Sequence, residues 1–107
     1  MKLILAIVSN DDSNAVSTAL NKASFQVTKL ATTGGFLSLG NTTLLIGCAD
    51  ELVEQAIGII SDESKRRTEV VPSTAPYDVN RLVSFPAEVQ VGGATIFVLN
   101  IDQFVKV

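Results

Sequence analysis

Residues 28–37 combine the backbone and side-chain groups that a nucleotide-binding loop needs. They read TKLATTGGFL, so that two glycines stand directly before Phe36 and Leu37. Adjacent glycines allow the backbone to approach a ligand closely and to turn N–H groups toward anionic oxygens. An aromatic ring after them can stack on a base, which contributes about 1–3 kcal/mol. The competing interpretation is a Gly-Gly turn in which Phe36 packs into the core or against another subunit.

A second pair of glycines, Gly92 and Gly93, separates two runs of strand-forming residues. Two-residue Gly-Gly connections between such runs are typical of a β-hairpin, so the sequence predicts a hairpin here, with any ligand contact as an addition. Asn41 follows Gly40 and is either part of an Asx turn or an amide that reads a base edge. The second interpretation is possible because an amide donates and accepts hydrogen bonds together.

Catalytic and metal-binding residue types are scarce in the chain. It has no histidine and a single cysteine, which excludes imidazole catalysis, histidine-bound metals and a thiolate metal cluster. Cys48 ends an apolar run and is interpreted as a small buried thiol. Adjacent Asp11 and Asp12 stand where a helix is predicted to begin and are interpreted as helix caps. We therefore predict no catalytic residue, no metal site and no cofactor, and expect a binding protein rather than an enzyme.

The overall charge disfavours nucleic acids and membranes as partners. A formal charge of −3 at pH 7 repels polyanions at long range, so we expect no DNA, no RNA and no membrane partner. A single cysteine allows no intrachain disulfide, and the apolar residues 3–8 predict a buried strand rather than a signal peptide. Both observations favour a cytoplasmic location.

Hydrophobic periodicity divides the chain into alternating strands and helices. Strand patterns occupy residues 3–8, 25–30, 42–48 and 94–99. Helix-like spacing follows Asp11 and again Asp50, which we expect to cap the second helix. The order βαββαβ predicts an α+β fold of the ferredoxin-like class, an antiparallel sheet with two helices on one face.

The remaining features concern the loops and the surface of this domain. Residues 31–41 contain glycines and residues 70–86 contain all three prolines, so both are predicted loops of a single domain that spans residues 1–107. The cationic residues 65–67 follow the second helix, whose C-terminal dipole favours positive charge. Hydrophobic residues make up 47% of the chain, which favours an oligomer over a monomer.

The glycine-containing segments together resemble the PII-like cyclic di-AMP receptors of Gram-positive bacteria. Residues 28–37, residues 40–43 with Gly47, and residues 91–98 carry the resemblance, which extends over nearly the whole chain. It implies a homotrimer of ferredoxin-like subunits that binds one cyclic di-AMP in each cleft between neighbours. It also implies that ordering of the loops, rather than catalysis, transmits the signal to a protein partner that the sequence does not identify.

The same resemblance implies ligand-binding roles for individual residues. Thr28 and Asn41 would bond polar edges of the ligand, and Gly47 would offer backbone groups. The residues expected to pack around an adenine are Gly35, Phe36 and Leu37, and those expected to close the pocket are Gly92, Gly93 and Ala94.

One departure from the family pattern concerns charge. Gln26 stands where many members carry arginine, and Ser24 stands where many carry asparagine. An arginine would present a full charge to a dianionic ligand, so glutamine at position 26 is expected to weaken binding. Two alternative functions therefore stay open: a PII-like sensor of another adenine nucleotide or metabolite, and a trimeric scaffold without a ligand.

Overall fold

The described residues form strands and helices in the predicted order, with one strand, at residues 67–72, that the sequence did not predict. A computed structural model describes residues 1–30, 40–72 and 86–107. The elements are β1 (Lys2–Ser9), α1 (Asn10–Lys22), β2 (Val27–Leu30), β3 (Asn41–Cys48), α2 (Val53–Glu63), β4 (Arg67–Pro72), β5 (Pro86–Val91) and β6 (Ala94–Asn100). In the part of the chain that is described, neither helix is long and apolar enough to cross a membrane.

A four-stranded antiparallel sheet with the strand order β2-β3-β1-β6 forms the centre of the molecule. β4 and β5 pair with each other in a separate two-stranded antiparallel sheet. The larger sheet and the two helices give the βαββαβ arrangement, in which β6 supplies the last strand. The predicted ferredoxin-like α+β fold is thereby confirmed.

The two faces of the larger sheet differ in what covers them. Because successive residues of a strand point to opposite faces, one face of β1 carries Ile4, Ala6 and Val8, which are buried. They pack in one cluster with residues of both helices, among them Val16, Leu20, Ala56 and Ile60. The opposite face, which we call the open face, carries the intervening residues of β1, and these stay partly exposed.

Acidic side chains at the helix starts form ion pairs rather than the predicted caps. At α1, the hydroxyl of Ser9 accepts a hydrogen bond from the Asp11 N–H at 3.2 Å, so Ser9 is the capping residue. A 3-10 turn precedes α2, and there Asp50 lies 2.8 Å from the N-terminal ammonium. The hydrogen bond from that ammonium lowers the pKa of Asp50. Acidic residues near a helix start are favoured by the dipole even when they do not cap.

The loop predicted at residues 70–86 is wrong at both of its ends. β4 and β5 pair from Arg67 opposite Val91 to Pro72 opposite Pro86. Consecutive valines in β4 favour extended backbone, and the prolines occupy the outermost pair, where a missing N–H interrupts no ladder. Residues 73–85 lie outside the described residues, as do residues 31–39 of the other predicted loop. Asn41, placed in that loop by the sequence, is the first residue of β3.

The hairpin predicted at Gly92 and Gly93 is also wrong. β5 pairs with β4 and β6 pairs with β1, so the two glycines join different sheets. Both have a φ of +85°, which explains why glycine stands at both positions. A Cβ at Gly92 would lie 2.6 Å from the Lys65 carbonyl oxygen, and the Gly93 N–H donates to the Ser64 carbonyl. This Gly-Gly junction is therefore seated on the backbone that follows α2.

Gly92→Ala is expected to lower the free energy of unfolding by about 1–3 kcal/mol, because it combines a positive φ with a backbone clash. Gly58→Ala is the matched control, since Gly58 lies inside α2 with nothing within 4 Å of an added Cβ. That control should raise stability by about 0.5–1 kcal/mol through helix propensity. Urea unfolding at one protein concentration measures both changes. A Gly92→Ala variant as stable as the parent would contradict the tight seating of the junction.

Candidate ligand-binding site

A cavity of about 350 Å³ lies at one end of the open face. We call it the Gly47 cavity; it is lined by Met1, Leu3, Gln26, Thr28, Leu45, Gly47, Ile101 and Phe104. Three residues with predicted ligand-binding roles therefore meet here: Gln26, Thr28 and Gly47. The lining combines apolar side chains with an amide and a hydroxyl, a composition that suits a base with polar edges.

Strand register brings these residues together. Thr28 of β2 stands opposite Leu45 of β3, and Gly47 stands opposite Leu3 of β1. All four positions belong to the open face by strand alternation. Gly47 is exposed, and a Cβ at this position would come no closer than 4.0 Å to any heavy atom, the methyl carbon of Met1. The glycine thus leaves room above β3 that a ligand group can occupy.

A second cavity of about 150 Å³ lies at the opposite end of the open face. We call it the Asn41 cavity; it is lined by Ile7, Ser9, Asn41, Arg66, Gly92, Gly93, Ala94 and Thr95. Asn41 and the three residues predicted to close the pocket therefore meet here. Asn41 is positioned by its register opposite Ser9, and the turn before it is held by a hydrogen bond from the Asn10 N–H to the Gly40 carbonyl at 2.8 Å.

Within one subunit, the predicted site residues lie in two separate groups. Gly47 and Asn41 stand near opposite ends of β3, about 20 Å apart by strand rise. Between them the open face carries an apolar row in which Leu5 stands opposite both Leu45 and Phe97. The predicted residues Gly35, Phe36 and Leu37 lie outside the described residues. Within one subunit, the described site residues therefore line two partial cavities rather than one pocket.

An ion pair between Arg67 and Asp12 packs against the Gly-Gly junction. The Arg67 guanidinium donates to the two carboxylate oxygens of Asp12, with N–O distances of 2.8 and 3.4 Å, and to the Lys65 carbonyl at 3.2 Å. The Asp12 side chain is only 6% exposed, so its side of the ion pair is shielded from water. Arg67 also lies against Gly92, because an added Cβ there would meet its Nη1 atom at 2.8 Å. Residues of α1, β4 and the junction thus form one packed unit beside the Asn41 cavity.

The sequence did not indicate Arg66 as a site residue, although it lines the Asn41 cavity. Arg66 belongs to the run of cationic residues 65–67, and we interpreted that run only as a favourable interaction with the dipole of the second helix. Asp12 was likewise interpreted as a cap, since its partner lies 55 positions away in the sequence. Periodicity and local spacing carry no information about such distant contacts.

The described residues contain no group of three or more histidine, cysteine, aspartate or glutamate side chains that could hold a metal. Cys48 is free and buried, which confirms its interpretation as a core thiol. Burial raises the pKa of the Cys48 thiol, so it stays protonated near neutral pH. The polar groups that line the two cavities are hydroxyl, amide, backbone and guanidinium groups.

Over nearly its whole length the chain is similar to a known protein family and to a solved structure. A family model described as cyclic-di-AMP receptor matches the chain over residues 1–107. The chain is also similar to the crystal structure of a functionally unknown protein from Pediococcus pentosaceus ATCC 25745, with a TM-score of 0.76 and 42% sequence identity. That similarity covers 99% of this chain and 96% of the Pediococcus chain.

Proposed function

The chain belongs to the cyclic-di-AMP receptor family, and we propose that it is a signal receptor that binds cyclic di-AMP in the clefts of a homotrimer. Each cleft combines the Gly47 cavity of one subunit with the Asn41 cavity of its neighbour. Binding orders the predicted loops between β2 and β3 and between β4 and β5 and changes the surface offered to a protein partner. The proposed receptor works in the cytoplasm and performs no catalysis.

The observation that carries this proposal is the division of the site between two ends of one sheet face. Pockets for ligands of drug size commonly enclose about 300–1,000 Å³. The Asn41 cavity, at about 150 Å³, is below that range, and the Gly47 cavity, at about 350 Å³, is near its lower limit. Two partial cavities that face each other across a subunit contact would supply the volume that a cyclic dinucleotide needs.

The exposed apolar surface supports the assembly. On the open face of β6, Phe97 is 51% exposed and Leu99 is 47% exposed. Phe104, which lines the Gly47 cavity, is 62% exposed. Large adjacent apolar side chains on a small protein mark a surface that another subunit covers. A contact that joins one end of a subunit to the opposite end of the next is heterologous, and a ring closes it.

The Gly-Gly junction connects the Asn41 cavity to the β4–β5 sheet, which supports an effect of the ligand on that sheet. Gly92 and Gly93 line the Asn41 cavity and follow β5 directly in the chain. The hydrogen bond from Gly93 to Ser64 and the ion pair between Arg67 and Asp12 tie this junction to both helices. A ligand that contacts the junction therefore acts on the base of the β4–β5 sheet. That sheet leads into residues 73–85, part of the loop proposed to respond.

Calorimetry on the purified protein tests the function. We expect cyclic di-AMP to bind once per subunit, and cyclic di-GMP, ATP and AMP to bind at least about tenfold more weakly, a difference of about 1.4 kcal/mol. The adenine edge accounts for the preference over cyclic di-GMP, because Thr28 and Asn41 offer donors and acceptors matched to it. ATP and AMP each carry a single adenine, so neither can occupy both partial cavities in the way that a cyclic dinucleotide does. Tight binding of ATP or AMP without cyclic di-AMP would favour a sensor of another adenine nucleotide. Absence of any binding would favour a scaffold.

A further inference from the structure

Three consecutive cations follow α2, and each has a different environment. Lys65 lies 4.0 Å from Asp62, with both side chains 75% exposed. Arg67 is held by the buried Asp12 at 2.8 Å. Arg66 forms no hydrogen bond or ion pair with any residue in the described ranges 1–30, 40–72 and 86–107. In a chain with more acidic than basic residues, an arginine without a carboxylate partner is a candidate for binding an external anion.

Capping of α2 does not account for Arg66. The Ser64 carbonyl accepts the Gly93 N–H, and the Lys65 carbonyl accepts a hydrogen bond from Arg67. The carbonyls that follow the helix are thus used by other donors. Arg66 instead lies beside the junction: its Nε atom is 3.8 Å from the position that a Cβ of Gly93 would occupy.

Arg66 is the only charged side chain among the described residues that line the two partial cavities. The residue directly before β2 that lines the Gly47 cavity is Gln26, which is neutral. A cyclic dinucleotide carries two phosphodiester charges, and a protein with a formal charge of −3 provides no long-range attraction for them. Affinity for such a ligand requires a cation placed locally.

We propose that Arg66 binds a phosphodiester of the ligand from the Asn41 cavity, and this assignment rests on the proposed function. A guanidinium presents a planar set of donors that matches two phosphate oxygens. The small volume beside the Gly-Gly junction admits a phosphate more readily than a base. Arg66 thus supplies the positive charge at the opposite end of the cleft from Gln26.

The test compares Arg66→Gln with Lys65→Gln, which removes the same charge from the adjacent position outside both cavities. Calorimetry with cyclic di-AMP should give roughly tenfold to hundredfold weaker binding for Arg66→Gln and less than about twofold for Lys65→Gln. Arg66→Lys should recover part of the affinity, because it restores the charge without the planar donors. Wild-type affinity should also fall more steeply than that of Arg66→Gln across a series of salt concentrations. Thermal unfolding of the three variants shows that each retains its fold.

The outcomes separate this inference from the function on which it rests. Wild-type binding with equal affinities for Arg66→Gln and Lys65→Gln would overturn the role of Arg66 and leave the receptor function standing. An unchanged salt dependence in Arg66→Gln would overturn it as well. Failure of the wild-type protein to bind cyclic di-AMP would overturn both proposals.

Discussion

Phe97→Asp is expected to convert an assembly of about three times 11.3 kDa into single chains. Phe97 lies in the middle row of the open face, opposite Leu5, and is 51% exposed in one subunit. If neighbouring subunits cover this row, a carboxylate there loses its hydration without gaining a partner, at a cost of several kcal/mol for each contact. Light scattering at micromolar concentration measures the mass. Cyclic di-AMP binding should be lost together with the assembly, because each cleft needs two subunits.

The control for this substitution is Leu52→Asp. Leu52 is 40% exposed and belongs to the 3-10 turn before α2, away from the open face. Its replacement makes the same apolar-to-acidic change without entering the proposed contact, so the mass and the affinity should stay unchanged. A Phe97→Asp variant with the parental mass and intact binding would refute assembly through the open face.

The parts of the fold that the sequence predicted correctly depend on local pattern. A continuous apolar run marked the central strand, now Lys2–Ser9, and helical spacing marked Asn10–Lys22 and Val53–Glu63. Periodicity reports which side of an element is buried, and this was enough to give the order βαββαβ and the ferredoxin-like class.

The errors concern which strand pairs with which. A glycine pair with positive φ serves a hairpin turn and a junction between sheets equally well, because both need the same backbone conformation. Gly92 and Gly93 form a junction rather than a hairpin because they pack against the carbonyl groups of Ser64 and Lys65, which are distant in sequence. Proline, likewise, was interpreted as a strand breaker at positions 72 and 86, where it only ends the ladder.

The site was predictable as a set of residues but not as an arrangement. Resemblance to a family pointed to Thr28, Gly47 and Asn41, yet nothing in the sequence indicated that they divide between opposite ends of one sheet face. The register of β3 against β1 establishes that separation. Arg66 needed the structure for the same reason, since its position beside Gly93 follows from the path of the chain after α2.

Co-expression of two inactive variants is expected to restore cyclic di-AMP binding in mixed trimers. Gly47→Val fills the Gly47 cavity, where the nearest atom to an added Cβ is 4.0 Å away. Thr95→Tyr fills the Asn41 cavity from an exposed position of β6 that stands opposite Ile7 on the open face. Each variant alone should lose most of its affinity, by roughly a hundredfold or more, because one wall of every cleft is obstructed. Each should retain its mass, which light scattering checks.

In a mixed trimer, an intact cleft forms wherever the open Gly47 cavity of a Thr95→Tyr subunit meets the open Asn41 cavity of a Gly47→Val subunit. Random mixing in equal amounts places this pair at about a quarter of the contacts of a heterologous ring. Calorimetry should therefore give about one quarter of the wild-type stoichiometry, with an affinity close to that of the wild type. Mixing either variant with wild-type chains should leave about half of the sites, which calibrates the count. If each subunit instead contained a complete site, the two variants together would bind no better than either alone, and the division of the cleft between neighbours would be refuted.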